Sequence, residues 1–202
     1  MPARIAGRLP GELDEQQAEV YRAITGGARA TGPQAFPLTD EVGRLRDPFN
    51  AMLLSPPVGM AVQEMGAAVR YASLLTDRVR EMATLVVAAH WNSTFEREAH
   101  EAVGRTCGLT DSELEALRAG ELPALSDPAE RAALRATLSL ARTGLLDDRE
   151  YYHAVAEWGE RGLFELTALV GYYALLALQL RVFAGEGPED RCDPPQTESG
   201  TR

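Results

Sequence analysis

From Leu166 to Leu178 the chain reads LTALVGYYALLAL, a run that is apolar nearly all round when wound into a helix. Such a helix has no face to offer water, so in a chain of this size it is either the centre of a core or a subunit interface. The run is too short to cross a bilayer, which needs roughly 20 apolar residues. Glu165, Gln179 and Arg181 flank it, which favours burial in protein. The rest of the chain must therefore supply the cover, and a homo-oligomer is expected.

The covering elements also read as helices. Asp14 to Thr25 predicts a first helix stopped by Gly26-Gly27, and Asp47-Pro48 predicts a short one, Pro48 to Leu54, with proline at its first position. Ser55-Pro56 restarts the pattern, with Val58, Val62, Met65 and Val69 on one stripe ending near Tyr71. Thr110 is placed to cap a short helix with Asp111 and Glu113 in its first turn, where the helix dipole favours anions. Asp127-Pro128 opens another that Gly144 ends. Asp147 or Asp148 caps the next, which stops at Gly159 or Gly162, and Leu163 to about Phe183 is the last. No segment alternates like a strand, so the fold is expected to be all-α, a bundle of about seven to nine helices.

Residues 1–185 are expected to form a single domain with an N-terminal helical extension, and residues 186–202, which lack apolar side chains to bury, to be a disordered tail. The segment from Gly26 to Asp47 is long and rich in small residues; it either closes over a site or wraps a neighbour. With 30 acidic against 20 basic residues the net charge is −10, and the basic residues are scattered, so neither nucleic acid nor an anionic membrane is expected as partner. MPARIAGRLPGELDE has no continuous apolar segment after its arginines, and a cytoplasmic location is expected. Cys107 and Cys192 are the two cysteines, without C-x-x-C, so no dithiol redox centre is expected.

Ionisable residues gather beside an apolar run in one stretch, Thr76 to Cys107. A helix from Asp77 to Trp91 carries Met82, Leu85, Val86 and Ala89 on one face, with Glu81 beside it. A second begins at Asn92 or Ser93. Ser93-Thr94-Phe95-Glu96 fits the capping box, in which the serine accepts from the third helical N–H and the glutamate reaches back. Glu96 and His100 share a face at i and i+4, close enough to pass a proton, and Glu81 can approach them if the two helices pack antiparallel. Each residue also has a plainer reading: Ser93 and Glu96 as caps, His100 as a satisfied core histidine, Glu81 as a solvated charge. His90 and Trp91 close the first helix and are expected to line the junction as substrate contacts. His153, among tyrosines, reads as a surface or interface residue. H-E-x-x-H is absent and nothing fixes a ligand geometry, so no metal is expected.

The residues just described resemble the carboxymuconolactone decarboxylase family, also called AhpD-like. Its pattern is a glutamate on one helix, then Cys-x-x-Cys or Cys-x-x-Glu at the next helix start, then a histidine one turn on. Here Glu81, Ser93, Glu96 and His100 occupy those positions with the spacing kept, and DPFNAMLLSPPV, RVREMATLVVAAHWN, FEREAHEAVGRTCGLTDSELEALRAG and ELTALVGYYALLALQL look familiar. The resemblance covers most of residues 45–183. It implies an AhpD-like helical domain, a trimer or hexamer, a small-molecule substrate, and catalysis by His100, Glu96 and Glu81 with Ser93 at the substrate. Serine cannot form a disulfide, so the resemblance implies a non-redox, cofactor-independent lyase and not a thiol peroxidase. The alternative is a catalytically inactive oligomeric helical binding or structural protein.

Overall fold

The computed structural model describes residues 4–31 and 36–184, with no side-chain description at residue 28. Eight α-helices and no strand occur among them; an isolated bridge joins Thr39 and Leu45. Residues 185–202, read from sequence as a disordered tail, lie outside the described part. The helices are α1 (Glu15–Thr25), α2 (Phe49–Met52), α3 (Pro56–Tyr71), α4 (Asp77–Trp91), α5 (Thr94–Thr106), α6 (Asp111–Arg118), α7 (Pro128–Thr143) and α8 (Asp148–Gln179).

Local chemistry sets most of the ends. Asp14, Thr76, Thr110, Asp127 and Asp147 each cap the helix that follows through their side chains. Gly144 takes a left-handed conformation after α7, which costs glycine no Cβ clash. Gly159, at φ 67 and ψ 172, breaks the ladder inside α8, so the stop read from sequence is a kink between two helical stretches. One expectation is corrected: Pro48 is not the first residue of α2 but its cap, following a cis Asp47-Pro48 bond, and α2 ends at Met52, short of Leu54.

α4 is the axis of the core. Every residue from Glu81 to Ala88 is buried, because α5, α6, α7 and α8 all pack on it. The second stretch of α8 supplies Leu166, Leu169, Tyr172, Tyr173, Leu176 and Ala177 to the same core. Full burial of a side chain such as Met82 or Leu169 is worth about 1.5–3 kcal/mol over exposure. Half of the apolar window in α8 is buried in this way. Arg78 knits the lower end together: its Nε lies 2.7 Å from Glu130 on α7, Nη1 donates to the Gly108 carbonyl at 2.7 Å, and Nη2 pairs with Glu113 on α6.

The described parts of the 26–47 connection pack on the rest of the chain. A 3₁₀ turn at Ala28–Ala30 follows α1, Leu45 is buried in the core, and Phe36 packs edge-on against Phe95 of α5 with centroids 5.1 Å apart. At Phe36 this segment thus lies against the start of α5.

Candidate active site

Thr76 starts α4 by accepting from the Val79 N–H, and Asn92 ends it in a left-handed turn at φ 49. With Asn92 and Ser93 alone between them, α4 and α5 are neighbours in space, and residues on either side of the turn face one another. Glu81 and His100 are such a pair. His100 Nδ1 lies 2.6 Å from Glu81 Oε2, with Glu81 0% and His100 6% exposed. Burial pushes the Glu81 carboxyl upward, but the His100 ring and the Arg70 guanidinium outweigh it and hold the group below its ordinary value. Glu81 is thus an ionised carboxylate accepting from Nδ1–H, which leaves Nε2 as the ring nitrogen not held by the carboxylate.

That contact revises the pairing expected from i, i+4 spacing: the carboxylate bonded to His100 belongs to Glu81, not Glu96. The capping box at α5 is revised too. Ser93 occupies the cap position, yet its hydroxyl accepts nothing from the first turn. Both it and Glu96 are buried, at 1% and 2% exposure. A cap exposed to water explains neither residue. His90 is exposed and Trp91 half-buried at the end of α4; their rings meet edge-on at 5.7 Å, and Arg181 lies over the indole at 6.0 Å. Among the described residues no hydrogen bond joins either of them to Glu81 or His100.

Four residues absent from the sequence-level site complete it. Arg70 of α3 lies 3.9 Å from Glu81 Oε1 and donates to the Tyr173 hydroxyl at 3.2 Å. Tyr173 stands edge-on to the His100 ring at 5.0 Å and to Tyr172 at 5.1 Å. Arg29, from the 3₁₀ turn, donates to the Tyr172 hydroxyl at 3.1 Å and to Gln63 Oε1 at 3.3 Å, with its guanidinium over the Phe49 ring. Burial pushes the Tyr173 phenol up to about 12 against the opposing field of Arg70, and burial raises Tyr172 as well. Arg70 loses some basicity to burial but gains more from Tyr173 and Glu81, so it stays charged. Gly66 makes room for this: a Cβ there would collide with both the Arg29 guanidinium and the Tyr172 hydroxyl. The sequence did carry a signal, since two hydroxyls inside an otherwise apolar run need buried partners.

Residues 56–139 match the carboxymuconolactone decarboxylase family. No curated protein sequence matches the chain. An AhpD-core peroxidase-related protein from Ralstonia eutropha JMP134 superposes with a TM-score of 0.69 at 14% identity, covering 94% of each chain. A peroxidase-related protein from Silicibacter sp. TM1040 gives 0.66 at 14% identity, covering 91% of this chain and 90% of its own. A debrominase variant solved with 2,3,4-tribromopyrrole gives 0.65 at 12% identity, covering 90% of each. Over residues 56–139, from α3 into α7, the chain is thus similar to the carboxymuconolactone decarboxylase family, and its fold is AhpD-like.

Proposed function

We propose that this protein is a cofactor-independent, non-redox acid/base enzyme acting on a small carboxylated or lactone-type organic acid. The observation that carries the reading is the buried Glu81–His100 contact at 2.6 Å, flanked by Arg70 and Tyr173. Caps and core packing do not require a histidine oriented by an ionised carboxylate; proton transfer does. The family match and the debrominase neighbour solved with a small heteroaromatic support a small-molecule substrate.

In this mechanism the substrate carboxylate or lactone oxygen lies at the α5 start beside Ser93, with Arg29 and Arg70 orienting anionic oxygens. Tyr173 keeps its proton, accepts from Arg70, and has its own O–H left to donate. For decarboxylation the bond from carbon to carboxylate breaks, its electron pair passes into a conjugated carbonyl of the substrate, and His100 Nε2 returns a proton to carbon. Glu96 acts as a second acid/base group. Isomerisation without loss of CO2 needs two transfers, a proton taken from one carbon and a proton returned to another, and cyclisation needs a single one.

The test follows CO2 release and ultraviolet change with unsaturated lactone acids. His100→Gln is expected to lower turnover by about 10²–10⁴-fold while keeping the melting temperature near that of the parent. Equal turnover in the variant sinks the assignment. A second reading, a helical binding or structural protein without catalysis, is favoured by Ser93 standing where the family has cysteine and by exposed Phe164 and Leu178 on α8. Absence of turnover by the parent, with a single larger assembly in solution, selects it.

A further inference from the structure

A groove of about 710 Å³ lies along the α7–α8 hairpin, and none of Glu81, Ser93, Glu96 or His100 lines it. Its volume falls in the range of about 300–1,000 Å³ usual for small-molecule sites. Arg131, Arg135 and Arg142 line it from α7, and Arg149 and His153 from α8. In a chain whose net charge is −10, this is a local reversal of sign. Anions repelled elsewhere are drawn to such a place.

The arginines divide into fixed and uncommitted ones. Arg131 Nη1 donates to the Leu125 and Ser126 carbonyls at 2.7 and 2.6 Å, and Arg142 Nη2 donates to the Gly120 carbonyl. These neutral acceptors hold the side chains in place without cancelling their charge. Arg135 and Arg149 are exposed and form no ion pair among the described residues. Three carboxylates also reach the groove, but two are engaged at the start of α8. Asp147 accepts from the Glu150 N–H at 2.7 Å, while Glu150 accepts from the Asp147 N–H and from the Ser139 hydroxyl. Glu157 is the third. Between the charged walls, Ala132, Leu138 and Ala156 add apolar lining.

We propose that this groove binds a phosphate-bearing small molecule, with phosphate oxygens held by Arg135 and Arg149 and any organic part resting on the Ala132, Leu138 and Ala156 surface. Guanidinium forks match phosphate oxygens in pairs, and several of them in one groove favour a multiply charged anion. The site is separate from the proposed acid/base centre and stands or falls without it.

The test is calorimetric titration of the full chain with pyrophosphate and with ADP. One equivalent of at least one probe is expected to bind, and Arg135→Glu with Arg149→Glu is expected to weaken it by about tenfold or more. His100→Gln is expected to leave binding unchanged. Arg22→Glu makes the same change of charge as either groove substitution alone, at an exposed position of α1 outside the groove, and is expected to do little. Tighter ADP assigns a role to the apolar lining; tighter pyrophosphate assigns recognition to the phosphates alone. Failure of both probes to bind, or equal weakening by Arg22→Glu, overturns the proposal.

Discussion

Two helix starts in this molecule carry the same four-residue pattern and use it differently. At α6, Thr110 and Glu113 close a capping box: Thr110 N–H donates to Glu113 at 2.8 Å and Glu113 N–H donates to the Thr110 hydroxyl at 3.3 Å. At α5, Ser93 and Glu96 stand at the same spacing, yet the box does not form and both side chains are buried. Thr110 is exposed and faces water, so the helix is the main claimant on its hydroxyl. Ser93 is buried, two residues from Phe95, which meets Phe36 of the first connection, and tertiary packing there overrides the local preference. A sequence motif thus names the groups available, and burial decides which partner they take.

Changes at the two starts separate these roles. The largest effect is expected from Glu81→Ala, which strands the buried partners of an ion pair and costs about 3–5 kcal/mol in urea unfolding. Next, Ser93→Asp places a second carboxylate in a buried position near Glu96 and costs about 3 kcal/mol, whereas Thr110→Asp swaps one good cap for another and stays within about 0.5 kcal/mol. Equal costs for the two aspartates would erase the distinction between the starts. Gly66→Ala pushes Arg29 away from Tyr172 and is expected to cost about 2 kcal/mol, read from the same unfolding curves. Thr110→Ala is expected to cost less, about 1 kcal/mol from a lost cap.

Acid sharpens the contrast further. The Glu81 carboxyl sits below its ordinary value of 4.5 in the folded chain, so its contribution is fully present above that value and is lost as pH falls through the lower native one. The stability gap between the parent and Glu81→Gln is expected to be constant near neutrality and to narrow below about pH 4.5. Glu113 is also held low, with burial opposing and the Thr110 N–H and Arg78 prevailing. Its Gln variant is expected to narrow in the same direction but by less, because its surroundings are wetter.

Helix ends were readable because a cap is a short-range event: Thr110, Asp127, Asp147 and Gly144 act on residues within one turn. Glu81 and His100 were readable because a two-residue turn between helices brings its flanks together. Arg29 and Arg70 were not, since their tyrosine partners lie 143 and 103 residues away. No periodicity encodes such distances. Nor was the refusal of Ser93 to cap visible, because it depends on what covers that helix start. The arginines of α7 and α8 looked scattered in the linear chain and gather only once the hairpin folds.

Tyr172 and Tyr173 are successive residues of one helix, so their side chains leave its axis about 100° apart, and each is fastened to a different arginine. The second stretch of α8 is in this sense an axle with two spokes. A torque applied at its outward side, where Phe164, Leu175 and Leu178 are exposed, swings both spokes together, one against Arg29 and the other against Arg70 and the imidazole. The break at Gly159 separates this stretch from the first part of α8. Whatever packs on the outside of the helix therefore bears on the Glu81–His100 contact without touching it.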